Sequence, residues 1–176
     1  MVNAISCLFR RKVTENRIVR DEEVEKIGDE IRREVDSVFG RSLVIRELDA
    51  GSDNATEIEI ANLNNPYYDI ERFGITFAAS PRHADVLLVT GAMTHNMAIA
   101  ARKTYEAMPS PKFVIAVRDD ACNGGIFRGS YAVCDGAENV IPVDFRIPGN
   151  PPTPVQILNG LLALMRKARQ KGQATK

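Results

Sequence analysis

The sequence predicts a single α/β domain built on a parallel sheet. Three observations carry this. Two short runs, 84–90 and 112–117, are almost wholly apolar, as strands covered on both faces must be. Helix-periodic stretches alternate with such runs. The segments richest in Gly, Asp and Asn (49–56, 91–96, 118–128 and 144–152) fall after predicted strands, where open α/β sheets bind ligands.

The elements follow in order. Residues 1–40 form an extension that contains an amphipathic helix at 21–39. Asp21, Glu22 and Glu23 place negative charge at its start. Val24, Ile27, Ile31, Val35 and Val38 recur at helical spacing, and Gly40 closes it. Ahead of it, residues 1–21 are either a loose terminus or a docking arm that uses Ile5, Leu8 and Phe9 beside Arg10, Arg11 and Lys12. A strand is expected at 43–48 and a short helix at 55–63, broken by Asn64, Asn65 and Pro66. Gly91 ends the strand at 84–90. A helix at 95–108 stops at Pro109 and Pro111, and the strand at 112–117 follows. Val140, Ile141 and Val143 suggest a further short strand at 139–143. A helix at 152–169 begins with proline near its first turn. The main domain spans 41–166, and 167–176 reads as a basic, frayed tail.

Composition narrows the function. Hydrophobic residues make up 44% of the chain and charged residues 26%, a soluble globular balance. Formal net charge is zero, so nothing points to nucleic acid. The longest apolar runs, 84–91 and 158–165, fall well short of the ~20 residues of a membrane span. Cys7, Cys122 and Cys134 include no CxxC pair, and His83 and His95 do not complete a metal-ligand pattern. Scattered, odd-numbered cysteines suit a reducing compartment. Gly124 and Gly125 follow a strand but lack the spacing of a dinucleotide or P-loop motif. The turn from Gly91 to Asn96 offers backbone N–H groups at a helix start, which is a bare turn or an anion cradle. Asp119 and Asp120 form either a carboxylate pair or a solvated acidic loop. No nucleophile-elbow sequence is present.

Six ordered motifs between Arg41 and Met165 go further. Gly51-Ser-Asp-Asn-Ala-Thr-Glu-Ile-Glu-Ile60 stands where one family reads Gly-Ser-Cys-Asn-Gly-Cys-Asp-Ile-Glu-Ile. Tyr67-Tyr-Asp-Ile-Glu-Arg-Phe-Gly-Ile75, Ser80-Pro-Arg-His-Ala-Asp-Val-Leu87 and the turn from Gly91 to Met97 match it in sequence. Ala116-Val-Arg-Asp-Asp-Ala-Cys-Asn-Gly-Gly-Ile-Phe127 and Ile147-Pro-Gly-Asn-Pro-Pro-Thr153 complete the set. The chain thus resembles the 20 kDa subunit of NADH:quinone oxidoreductase (complex I). It resembles equally the small subunit of energy-converting membrane-bound nickel–iron hydrogenases.

The resemblance implies a flavodoxin-like parallel sheet flanked by helices. It also implies one 4Fe-4S cluster on four cysteines, but those positions hold Asp53, Thr56, Asp120 and Asn150 here. Clusters are held mainly by thiolates, so no cofactor is expected. Cys122 falls two residues beyond the third position and is not a family ligand. Arg118 replaces a family glycine, and it is expected to fill the vacated space and counter Asp119 or Asp120. Glu59, Arg72, Arg82, Met97 and Arg118 are interface candidates, the first three placed by the resemblance near the loop face that meets the large partner subunit.

The expected role is a cluster-less structural or assembly subunit. It would pack on a large-subunit homologue, touch the membrane-arm subunits indirectly, and lie on the cytoplasmic side, peripheral to the membrane. Two alternatives stand beside it. One is a working 4Fe-4S electron carrier. The other is a small-ligand or cation module, for instance for Mg²⁺, that reuses the vacated pocket with hard oxygen donors.

Overall fold

The computed structural model describes residues 21–174. The arm expected at the N-terminus lies outside them. Helix α1 (Glu22–Phe39) starts at Asp21, whose carboxylate accepts the Glu23 N–H at 2.9 Å, and ends at Gly40 in a left-handed conformation. Strand β1 (Leu43–Asp49) leads through a polar loop into α2 (Ala55–Asn62). A 3-10 turn (Ile70–Phe73) precedes β2 (Ile75–Phe77), and another (Pro81–His83) precedes β3 (Val86–Thr90). Then come α3 (His95–Ala107), β4 (Phe113–Val117), α4 (Asp119–Asn123), β5 (Phe145–Ile147) and α5 (Pro154–Ala174).

All five strands are parallel, in the order β2-β1-β3-β4-β5, which is the flavodoxin-like winding. Every residue of β3 is buried, in keeping with its near-central place. Alternation along the strands separates two cores. Leu43, Ile45, Val86, Leu88 and Ile115 face α1, α2 and α5, where Ile31, Ile60 and Leu161 complete the layer. Leu48, Leu87, Val89 and Val114 face α3 and α4, against Met93, Ala101 and Ala121. Helices α1 and α5 pack side by side, laced by Glu30–Arg166 at 2.6 Å and Glu34–Arg169 at 2.9 Å.

Three expectations need correction. The residues expected as a strand at 139–143 form part of a 3-10 turn (Ala137–Asn139) and irregular chain. Ile141 is buried in the second core, but Pro142 carries no N–H for a ladder. The fifth strand is Phe145–Ile147 instead, held by Arg118 N–H to Ile147 O at 2.8 Å. The C-terminal helix runs on to Ala174, through most of the segment expected to be a frayed tail. Strand β2 and helix α4 are additions, the one short and the other set inside an expected loop.

Candidate functional site

The carboxyl ends of β1, β3, β4 and β5 converge on one edge of the domain. The sheet winds both ways from β1 and β3, so their ends open the crevice typical of this fold. Two glycines let the loops meet there. A Cβ on Gly91 would lie 2.4 Å from the Ser52 nitrogen, so only glycine lets the β1 loop cross over the end of β3. A Cβ on Gly125 would lie 1.7 Å from Asp120 Oδ1.

Arg118 stands at the centre. Its backbone, at φ 82° and ψ 154°, lies in a region normally restricted to glycine, at a cost of ~1–3 kcal/mol. Only 6% of the residue is exposed. Its Nε donates to Asn150 Oδ1 at 2.9 Å and lies 2.9 Å from Asp120 Oδ2. Its Nη1 and Nη2 form a fork onto the two Asp53 oxygens, the Nη2–Oδ2 bond being 3.0 Å. One guanidinium therefore ties together the loops after β1, β4 and β5. The Arg118 hydrogen bond, helped by the Ala55 N–H, holds the Asp53 carboxyl down to about 2. The same bond to Asp53 strengthens the hold of Arg118 on its own proton.

Of the residues singled out in the sequence, Asp53, Asp120, Asn150 and Arg118 thus meet directly. The arginine reaches Asp120 and Asp53. Asp119 turns aside to accept the Gly149 N–H at 3.1 Å. Thr56 is fully buried in the first turn of α2, and its Oγ1 has no hydrogen-bond partner. Met97 lies in the first turn of α3, partly buried against the second core. Glu59 is half-buried on α2. Arg72 and Arg82 lie elsewhere. Both precede the strands β2 and β3 and so sit at the opposite, amino end of the sheet. Arg72 pairs with Glu25 of α1 at 2.6 Å and covers the Phe73 ring, whereas Arg82 is exposed. Their placement on the loop face is not realised.

The site contains no thiolate set for a cluster. Its donors are two carboxylates, an amide and a hydroxyl, and a guanidinium occupies their midst. Cys122, in the same loop, is buried with its thiol 3.5 Å from Ala116 O, and burial pushes it up to about 11. The space expected for a hard cation is likewise taken by Arg118. Among the described residues, no group of three His, Cys, Asp or Glu side chains is placed to hold a metal ion.

A neighbouring cleft of about 620 Å³ runs between β1 and α2, lined by Arg46, Glu47, Asp49, Glu57 and Ile58. Glu57 accepts the Ser52 hydroxyl at 2.6 Å and the Thr90 hydroxyl, joining the ends of β1 and β3. Glu47 is pushed up to about 7, first by burial and then by the charges of Glu57 and Asp49. One Glu47 oxygen and the Arg46 Nε have no hydrogen-bond partner. Sequence reasoning passed over Glu47 and Glu57. The available signal was a charged pair, Arg46-Glu47, directly after the apolar run Leu43-Val-Ile45.

Among the described residues, no helix is long and apolar enough to cross a membrane. A chain of the solved membrane-bound sulfane sulfur reductase (MBS), an archaeal respiratory membrane complex, is 35% identical to this one. The likeness covers 74% of this chain and 72% of that one, with a TM-score of 0.65. The model of the family described as NADH ubiquinone oxidoreductase, 20 Kd subunit, matches residues 54–164, nearly two thirds of the sequence. The chain belongs to the NADH ubiquinone oxidoreductase 20 Kd subunit family.

Proposed function

We propose that this chain is a structural subunit of a complex I-like respiratory complex, holding the place of the electron-transfer subunit without a redox centre of its own. One observation carries the reading. The guanidinium of Arg118 bonds or pairs with three of the four positions where the family resemblance puts cluster cysteines. A 4Fe-4S cluster needs soft thiolate donors, and Asp53, Thr56, Asp120 and Asn150 supply oxygen only. A buried arginine also brings its charge and bulk to the space the cluster would need. Without a redox centre there is no electron to pass, so the remaining task is to shape and join an assembly.

The partner in this reading is a large-subunit homologue that covers the loop face. Ile126 (82% exposed), Phe127 and Tyr131 (96% exposed) follow β4 in the chain, large exposed side chains that such a partner would cover. Membrane-arm subunits are reached through that partner. The chain lies peripheral to the membrane on its cytoplasmic side. Its kinship with a chain of a respiratory membrane complex supports such company.

The test is iron and acid-labile sulfide per chain, measured on protein isolated without oxygen together with its partner subunits. The reading expects none of either attributable to this chain. A full cluster complement bound to it would overturn the reading and make it an electron carrier.

A further inference from the structure

The two described thiols have opposite surroundings. Cys122 lies within α4 and is buried. Cys134 is partly exposed, and its Sγ lies 3.0 Å from Nδ1 of the exposed His95. Thirty-nine residues separate the two in sequence, and the backbone holds them together firmly. His95 N–H donates to Ala132 O at 3.0 Å, Cys134 N–H donates to Met93 O at 2.6 Å, and Thr94 forms an antiparallel bridge with Val133. Thr94 caps α3, accepting the Met97 N–H and donating to Ala50 O, which fixes where His95 leaves the turn. Asn139 Nδ2 holds the Cys134 carbonyl at 2.7 Å.

We propose that Cys134 and His95 form a thiol-modification site, a surface nucleophile with its base, that exchanges with small disulfides. A nucleophile and base within hydrogen-bond reach are the parts such chemistry needs. Two donors are too few to hold a metal ion, and no third joins them among the described residues.

The step balances without a further reagent. His95 Nδ1 takes the proton of the Cys134 thiol. The thiolate attacks one sulfur of the small disulfide, and that S–S bond breaks as the Cys134–sulfur bond forms. The other half leaves as a thiolate and takes up the proton. Cys134 is oxidised to a mixed disulfide, and the departing half is reduced to a thiol. Excess thiol reverses the exchange. The inference does not depend on whether the chain carries a cluster.

The test uses the full chain with Cys7→Ser, leaving Cys122 and Cys134, and the aromatic disulfide dithiodipyridine as probe. One thiol per chain should react in an early phase that Cys134→Ser abolishes and excess dithiothreitol reverses. His95→Ala should slow that phase by about tenfold at neutral pH, because the thiol loses the base 3.0 Å away. His95→Asn serves as a second variant, and thermal melts matching the parent confirm that both are folded. If Cys134 reacts no faster than a small free thiol, or if neither His95 variant changes the rate, the pair is a packing contact and the proposal falls.

Discussion

Each end of the sheet is closed by an arginine, in opposite ways. At the amino end Arg41 reaches in from the surface. Its side chain is 55% exposed, and it forms a fork on Asp85, which is 2% exposed. Asp85 also accepts the Val44 N–H at 3.0 Å, so a buried acid anchors the starts of β1 and β3. At the carboxyl end the arginine is the buried member. Arg118 sits on a glycine-type backbone, and the Asp53 side chain it holds is 55% exposed. The amino end shows a buried charge in an unstrained chain. The carboxyl end shows a cation fitted to a backbone shaped for a residue without a side chain. The contrast marks the carboxyl end as the part where the sequence departs from the geometry it occupies.

The sharpest test of this contrast is to remove each arginine. Arg118→Ala keeps the backbone strain and leaves the buried Asp120 without its cation, so unfolding free energy should fall by about 3 kcal/mol. Arg118→Gly loses the same bonds but relieves the backbone, and should recover roughly 1–2 kcal/mol of that loss. Equal urea midpoints for the two variants would mean that the backbone carries no strain. Arg41→Ala should cost about 2 kcal/mol, because Asp85 keeps the Val44 N–H but loses its counter-charge. A larger loss than for Arg118→Ala would invert the comparison.

Titration extends it. Asp85 has a cation beside it, whereas the half-buried Glu47 has acids around it and a folded value of about 7, above the ordinary 4.5. Folding disfavours the Glu47 charge, so this group's contribution to stability is fully present below pH 4.5 and is lost as pH rises through 7. The fall is at most about 3 kcal/mol, reduced to the extent that solvent screens the half-buried carboxyl. Glu47→Gln should flatten this part of the stability–pH curve. Asp53 has the opposite sign. Its folded value of about 2 lies below 3.8, so its contribution is present above that value and is lost as pH falls towards 2. Asp53→Asn should remove that acid limb and weaken the fork on Arg118, the smallest effect of the set because the Asp53 side chain is 55% exposed and solvent screens the pair.

The sheet's main strands and its three long helices were legible because burial writes itself as periodicity. Val24, Ile27, Ile31 and Val35 repeat on one face of α1, and all are buried. Strand β2 escaped because three residues, Ile75, Thr76 and Phe77, are too few for any period. The misplaced fifth strand shows a different limit. Val140 and Ile141 have strand composition, but their apolar surface serves packing below the sheet edge, and three residues further on supply the ladder. At the site, motif order located Asp53, Thr56, Asp120 and Asn150, and the bulk of Arg118 against a glycine expectation foretold its use. Which acid it would take was not legible, because Asp53 arrives from a loop 65 residues away. Arg72 and Arg82 were misplaced for a related reason: motif order does not tell which end of a strand a flanking residue occupies.

The closure around Arg118 is made from the chain's own side chains, drawn from three loops that lie far apart in sequence. It can form only once β1, β4 and β5 are assembled in one sheet, so one guanidinium locks the finished winding of that sheet.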